Sequence, residues 1–263
     1  MWRPADDGVH VHRGVDDSGS VDRKAFYPLG IHWILANFVA ENYTHPMQVS
    51  IFKSLTAAKP KWTSLEKIVE MIMTNPYLEQ YTRAARKRYA SGKKGKADTI
   101  KKTCLPAFAP CGYFADGKGR EDLIGLTGLC FIDIDKISEE QVEAAMETLK
   151  NDEHVLFAAR SISGHGLHIL VPYHLWREDP LSPIYVTGNK ANNMYGKIFR
   201  PTAARYQELL QLPIDPSAEN AERLCLISFD DKAYYNPSAA PIVYRYDPNN
   251  DGKKVKQYPL YEE

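Results

Sequence analysis

The chain has 263 residues, of which 44% are hydrophobic and 25% are charged, the composition of an ordinary globular protein. These values exclude a disordered or fibrous chain, and the length allows one large domain or two small ones. Basic and acidic residues balance at 33 each, so the net charge does not favour an acidic or a basic partner.

The N-terminal part differs from the remainder. The first two dozen residues are polar, rich in Asp and without periodicity, and the apolar stretch 26–40 is too short to span a membrane. An alternating strand first becomes clear at residues 48–52. We therefore expect residues 1–46 to form an extension outside the fold and residues 47–263 to form the functional domain. The four cysteines include no Cys-x-x-Cys pair, which favours a reducing, cytoplasmic setting.

Two helices are predicted after this strand. Thr63 and Glu66 have the spacing of a capping box. The apolar stripe that follows has helical spacing and consists of Leu65, Ile68, Val69 and Ile72. Pro76 is expected to end this helix, and residues 77–88 to continue as a second one.

A basic block follows, with nine basic residues and one acidic residue between Arg83 and Lys102. We expect a loop at residues 91–96 in which Lys93, Lys94 and Lys96 track the phosphate backbone of a nucleic acid. A merely solvated segment is the alternative.

The centre of the chain predicts a β-α-β unit. A strand at 129–134 precedes a helix that Ser138 and Gln141 cap and that continues to Lys150, and strands follow at 155–159 and 167–172. Further along we expect a helix at 189–210 that is interrupted by Pro201. Two strands are expected after it, at 223–229 and 242–246. The fold class is therefore α/β (α+β), with a mixed sheet flanked by helices.

Two carboxylates mark the end of the first central strand. Asp133 and Asp135 alternate along it, so both point to the same face, where their mutual repulsion favours a bound divalent cation. Strand-end carboxylates that only face solvent are the alternative. Asp215, in Leu-Pro-Ile-Asp-Pro, could complete a site for two metal ions, although alone it would be a turn residue. Oxygen ligands of this kind suit Mg²⁺ or Mn²⁺.

A glycine-rich turn lies about thirty residues further on. Its residues Ser163, Gly164, His165 and Gly166 could offer backbone amides to phosphate oxygens, and His168 could add a donor. A plain hairpin turn and a core histidine are the alternatives. Arg223 could be a phosphate ligand or a cation on the strand surface.

These motifs, in this order, resemble the three motifs of the archaeo-eukaryotic primase superfamily, the primase-polymerases. Within it the chain most resembles the VirE N-terminal domain family of bacterial mobile elements. The segments that carry this closer resemblance are 49–53 (Val-Ser-Ile-Phe-Lys), 105–107 (Leu-Pro-Ala), 112–114 (Gly-Tyr-Phe), 223–230 (Arg-Leu-Cys-Leu-Ile-Ser-Phe-Asp) and 235–237 (Tyr-Asn-Pro). His168 matches the wider superfamily, whereas many VirE-type members carry lysine there.

The resemblance implies an RRM-like catalytic core that polymerises nucleotides on a DNA template. It implies that Asp133, Asp135 and Asp215 bind the metal ions and that His168 binds the phosphates of a nucleoside triphosphate. The sequence contains no Gly-x-x-x-x-Gly-Lys-Ser/Thr loop, so any helicase that cooperates is expected to be a separate protein.

Other functions are compatible with parts of this pattern. A non-catalytic descendant would keep the fold as a nucleic-acid-binding module of a mobile element. A nicking enzyme with a tyrosine nucleophile would need a histidine pair, which the region after residue 46 does not offer convincingly. A phosphatase of the Asp-x-Asp-x-Thr/Val type is disfavoured because Ile137 follows at the position of the Thr or Val.

Overall fold

The computed structural model describes residues 47–176 and 186–245. The expected extension, residues 1–46, and the apolar stretch within it lie outside the described residues. None of the helices within the two described ranges is both long and apolar enough to cross a membrane.

An antiparallel sheet of four strands contains the first strand of the described chain. In spatial order its strands are β2 (Lys61–Ser64), β1 (Gln48–Phe52), β3 (Ala107–Ala109) and β9 (Cys225–Leu226). The strand expected at residues 48–52 is confirmed. The strand expected at 223–229 is wrong in length, because only Cys225 and Leu226 pair with β3.

Three helices connect β2 to β3: α1 (Leu65–Thr74), α2 (Pro76–Ala90) and α3 (Lys94–Thr103). The predicted apolar stripe of α1 is buried, but its cap is Ser64 and not Thr63. Ser64 adopts the extended conformation of a cap, and its side chain accepts a hydrogen bond from the backbone of Lys67. Pro76 ends α1 as expected and also begins α2, where its missing N–H costs nothing.

The loop expected at residues 91–96 is wrong in its second half. The chain turns at Gly92, whose φ is +72°, and helix α3 begins at Lys94. Gly95, Asp98 and Thr99 have low helix propensity, but Ala97 and Ile100 are buried. Tertiary packing therefore overrides local propensity, and α2 and α3 form a helical hairpin.

A five-stranded mixed sheet forms the centre of the domain. Its strands are β6 (Leu129–Asp135), β7 (Phe157–Arg160), β8 (Gly166–Trp176), β10 (Tyr234–Tyr235) and β11 (Ile242–Arg245). Strand β8 pairs antiparallel with both β6 and β7. Strands β6 and β7 are therefore parallel with β8 inserted between them, and α4 (Glu139–Lys150) connects them as a split β-α-β unit.

The predicted class, α+β with a mixed sheet and flanking helices, is confirmed at this level. The capping box of Ser138 and Gln141 is present, as the spacing predicted. A separate two-stranded sheet consists of β4 (Gly112–Phe114) and β5 (Leu123–Leu126).

The longest described helix is α5 (Gly188–Leu210), and it continues through Pro201. The expected interruption is wrong, because Phe199, Thr202 and Tyr206 are buried on both sides of the proline and hold the helix together. On the same helix, the Tyr195 hydroxyl accepts a hydrogen bond of 3.1 Å from the backbone N–H of Phe131 in β6. Helix α5 is thereby tied to the strand that carries the two central aspartates.

Candidate metal and nucleotide site

Three carboxylates meet at the C-terminal end of β6. One oxygen each from Asp133, Asp135 and Asp215 lies within 4.8 Å of the other two. Asp133 is buried, Asp135 is exposed and Asp215 is intermediate. The cluster therefore extends from the sheet to solvent, and its members are the three aspartates that were predicted from the sequence as metal ligands.

Asp215 reaches the cluster through the chain that follows α5. Gln211 ends this helix in a left-handed conformation, and the backbone N–H of Asp215 then donates a 2.8 Å hydrogen bond to the main-chain carbonyl of Asp133. The Asp215 side chain accepts hydrogen bonds from the N–H and hydroxyl of Ser217, at 2.9 and 2.7 Å. Both its backbone and its carboxylate are therefore fixed.

Arg223 is the counter-charge of the cluster. Its Nη2 lies 3.2 Å from Oδ2 of Asp133 and 3.2 Å from Oδ2 of Asp215. Partial burial raises the pKa of Asp215, but the hydrogen bonds from Ser217 and the charge of Arg223 outweigh it and hold that pKa below its usual value. The guanidinium therefore pairs with two of the three carboxylates, and Asp135 has no ion pair within the described ranges.

His168 is the cross-strand partner of Asp133, so both side chains lie on one face of the β6–β8 pair. Its Nε2 is 3.7 Å from Oδ1 of Asp133, and its Nδ1 is 3.4 Å from the thiol sulfur of Cys225. Burial lowers the pKa of His168 more than the nearby Asp133 and Asp135 raise it. The ring is therefore neutral near pH 7 and has a single N–H to donate.

The glycine-rich turn joins β7 to β8 and borders the cluster. Gly164 has a φ of +80°, and its N–H donates to the carbonyl of Ser161 at 3.0 Å. The N–H of His165 donates to the hydroxyl of Ser163 at 3.2 Å. The expectation that these two amides are free for phosphate is therefore wrong, because the tight turn uses both of them.

Gly166 has a packing role at the start of β8. A Cβ atom at this position would lie 2.2 Å from the carbonyl oxygen of Ile134 and 3.2 Å from Oδ1 of Asp135. Only glycine allows the turn to approach β6 this closely. Gly166 thus brings the turn beside the carboxylates without itself having to bind a ligand.

The helical hairpin α2–α3 borders the site from another direction. The Arg86 guanidinium donates to the turn carbonyls of Ser161 and Ile162, at 3.3 and 3.4 Å. Lys101 is near enough that its charge contributes to the low pKa of His168. Neither Arg86 nor Lys101 belongs to a sequence motif, and tertiary structure alone brings both residues near the site.

Lys93, Lys94 and Lys96 are exposed at the start of α3. Lys93 is the N-cap residue, and no side chain caps this helix terminus. The structure thus places the three lysines together, on the same hairpin that contacts the glycine-rich turn.

The carboxylate cluster fits a hard divalent cation. Oδ1 of Asp133 is buried, and within the described ranges no group donates a hydrogen bond to it. The imidazole at 3.7 Å is too distant to do so. A buried anionic oxygen without a donor is costly, and coordination to Mg²⁺ or Mn²⁺ would satisfy it.

A family model described as BT4734-like, N-terminal domain, matches residues 99–235, which is more than half of the chain. The chain belongs to the BT4734-like N-terminal domain family. The matched region contains the three aspartates, His168 and Arg223, whereas Lys93, Lys94 and Lys96 precede it. No curated protein and no solved structure matches the chain.

Within this BT4734-like domain, residues from three parts of the matched region build the site. Strand β6 provides two carboxylates, β8 provides the histidine, and the segment after α5 provides Asp215 and Arg223. A site of this composition can hold a cation and, through it, an anionic oxygen ligand such as a phosphate.

Proposed function

We propose that this BT4734-like domain is a metal-dependent nucleotidyltransferase of the primase-polymerase type, which extends a nucleic acid from nucleoside triphosphates. The observation that supports it most is the cluster of Asp133, Asp135 and Asp215, in which a buried oxygen of Asp133 has no donor. The split β-α-β unit around β8 supports an RRM-like core for the same activity, since such a unit is half of a ferredoxin-like fold.

The three aspartates would hold Mg²⁺ or Mn²⁺, which when bound supplies charge neutralisation at the triphosphate and acidifies the primer hydroxyl. The primer 3′-oxygen forms a bond to the α-phosphorus as the bond from that phosphorus to the bridging oxygen of the β-phosphate breaks. The bonding electron pair leaves with pyrophosphate, and the hydroxyl proton passes to water. His168, neutral and beside Asp133, donates its N–H to a phosphate oxygen.

The template is assigned to the hairpin α2–α3, which carries exposed lysines and whose Arg86 contacts the turn that borders the carboxylates. Lysines at a helix start neutralise phosphates without reading bases. A DNA template held there would bind independently of its sequence.

A second function, a non-catalytic nucleic-acid-binding module of a mobile element, is favoured by one specific observation. The Arg223 guanidinium already bridges Asp133 and Asp215. A fixed cation there could replace the metal, as in a domain that has lost catalysis while keeping its basic hairpin.

A primer-extension assay with labelled nucleotides and either Mg²⁺ or Mn²⁺ tests the proposal. Wild type should extend the primer, and Asp133→Asn and Asp135→Asn should each abolish extension while the circular dichroism spectrum stays unchanged. Glu140→Gln is the matched control, because Glu140 is an exposed acid on α4 outside the cluster. It should retain full activity.

Calorimetric titration with Mn²⁺ separates the two functions. A catalytic site binds Mn²⁺ in wild type and in Glu140→Gln but not in Asp135→Asn. Wild type that binds DNA but neither binds Mn²⁺ nor extends primers would overturn the catalytic proposal and support the binding module.

A further inference from the structure

Lys136 directly follows the metal-site aspartate Asp135 and has an unusual backbone conformation. Its φ is +60°, in the left-handed region that side chains with a Cβ rarely adopt. In the two described ranges six residues have positive φ; four of them are glycines, and the others are Lys136 and Gln211. At position 136 the chain keeps a lysine where glycine would be unstrained.

The surroundings of Lys136 point towards an anion. The residue is exposed, and in residues 47–176 and 186–245 its ammonium makes no ion pair or hydrogen bond. On its N-terminal side is Asp135, and on its C-terminal side the N–H of Ile137 donates to the carbonyl of His165 at 3.1 Å. Lys136 therefore lies between the carboxylate cluster and the glycine-rich turn.

The electrostatics of the cluster are consistent with this position. The charge of Lys136 is one of the causes that hold the pKa of Asp215 low, after Ser217 and Arg223. The ammonium is therefore within electrostatic range of Asp215, although no carboxylate pairs with it in either described range.

Three of the other candidate donors are already engaged. Two amides of the turn, those of Gly164 and His165, donate within the turn itself. Arg223 is held by Asp133 and Asp215. A triphosphate whose α-phosphate lies at the carboxylates still needs a cation for its remaining charge, and a lysine serves as a point charge for phosphate.

We propose that Lys136 binds the β- and γ-phosphates of the incoming nucleotide, and that this contact explains why a lysine is kept in a left-handed conformation. This inference rests on the proposed nucleotidyltransferase function. It gives the site a polyphosphate-binding residue that belongs to none of the sequence motifs.

The inference and a purely structural role predict different tripolyphosphate affinities for Lys136→Gly. Glycine relieves the left-handed strain, so the variant should melt at a higher temperature than wild type. If Lys136 binds polyphosphate, the same variant should bind Mg²⁺-tripolyphosphate about tenfold more weakly or worse, because a charge-assisted contact is lost. A residue that only turns the chain would show the first effect without the second.

Three further variants complete the experiment, with tripolyphosphate titrated calorimetrically in Mg²⁺. Lys136→Asn tolerates the left-handed conformation but lacks the charge, so it should bind as weakly as Lys136→Gly. Lys136→Arg keeps the charge and should bind within about threefold of wild type. Gln211→Gly relieves the other left-handed residue and should raise the melting temperature with unchanged binding.

Equal tripolyphosphate affinity in wild type, Lys136→Gly and Lys136→Asn would overturn the inference, as would a wild type that does not bind tripolyphosphate. Neither result decides the proposed function, which depends on Mn²⁺ binding and primer extension. Conversely, if wild type binds tripolyphosphate through Lys136 but never extends a primer, Lys136 is a polyphosphate-binding residue and the proposed polymerase function is wrong.

Discussion

Asp133 has a different environment at each of its three oxygens. Its main-chain carbonyl accepts from Asp215, and Oδ2 accepts from Arg223. Its buried Oδ1 has no donor in the described ranges. The residue therefore ties the parts of the site together and leaves one coordination position to a cation.

Arg223 should stabilise the cation-free protein and matter less once a cation is bound. Arg223→Met leaves Asp133 and Asp215 to repel each other, so in EDTA the melting temperature should fall by about 2–4 °C. This corresponds to about 1 kcal/mol, a small value because the Arg223 side chain is 38% exposed. Added Mg²⁺ should raise the melting temperature of the variant more than that of wild type.

Differential scanning calorimetry with and without EDTA provides the measurement. Arg83→Met is the matched control, since it removes an exposed arginine that pairs with Glu79 on α2 and, within the described ranges, makes no ion pair with the carboxylates of the cluster. A variant Arg223→Met that loses the same number of degrees in EDTA and in Mg²⁺ would contradict the shared role of guanidinium and cation.

At the level of elements, the start of α3 is electrostatically unfavourable in the isolated protein. Three lysines occupy its cap and first turn, no acidic residue lies in that turn, and no side chain caps it. Positive charges at a helix N-terminus oppose the helix dipole. A bound phosphate would offset the unfavourable interaction between these lysines and the helix dipole. Lysines in a flexible loop would not have this interaction.

Replacing Lys93, Lys94 and Lys96 together with Ala should reduce the salt dependence of single-stranded DNA binding. Each phosphate contact contributes about −0.7 to the slope of log K against log salt, so three lost contacts change it by about two units. Affinity should fall alike for all base sequences. Fluorescence anisotropy at several salt concentrations measures both effects.

The triple replacement of Lys53, Lys61 and Lys190 is the control, because these lysines are also exposed but lie outside the hairpin. It should leave the slope unchanged. A slope that stays the same in the hairpin variant, or changes equally in the control, would assign the DNA to another surface.

Local signals in the sequence predicted those elements whose termini are set by local contacts. Ser138 and Gln141 cap α4 as their spacing indicated, and the stripe of α1 is buried. Helix α3 was not predicted, because its stability comes from burying Ala97 and Ile100. Two apolar residues among lysines and a glycine do not form a recognisable helical stripe. Burial of side chains is also the reason why Pro201 does not interrupt α5.

For the whole molecule, the sequence predicted the members of the site better than their contacts. Asp133 and Asp135 follow from strand alternation, and Asp215 from its place after a helix. The insertion of β8 between β6 and β7, which sets His168 opposite Asp133, is a pairing between distant segments. The same holds for the bridge made by Arg223, 90 positions from Asp133.

The hydrogen bond from the Asp215 N–H to the Asp133 carbonyl has a consequence for folding kinetics. The two aspartates can meet only after a long loop closes, so the complete cluster should be absent from a folding transition state built on the β6–β8 pairing. A cation bound by the cluster should then slow unfolding several-fold and leave the refolding rate nearly unchanged.

Stopped-flow denaturant jumps in Mg²⁺ and in EDTA measure both rates, with Asp135→Asn as the variant that should lose the effect. Refolding that accelerates with Mg²⁺ as much as unfolding slows would mean that the aspartates already meet in the transition state, and that this domain folds around its metal.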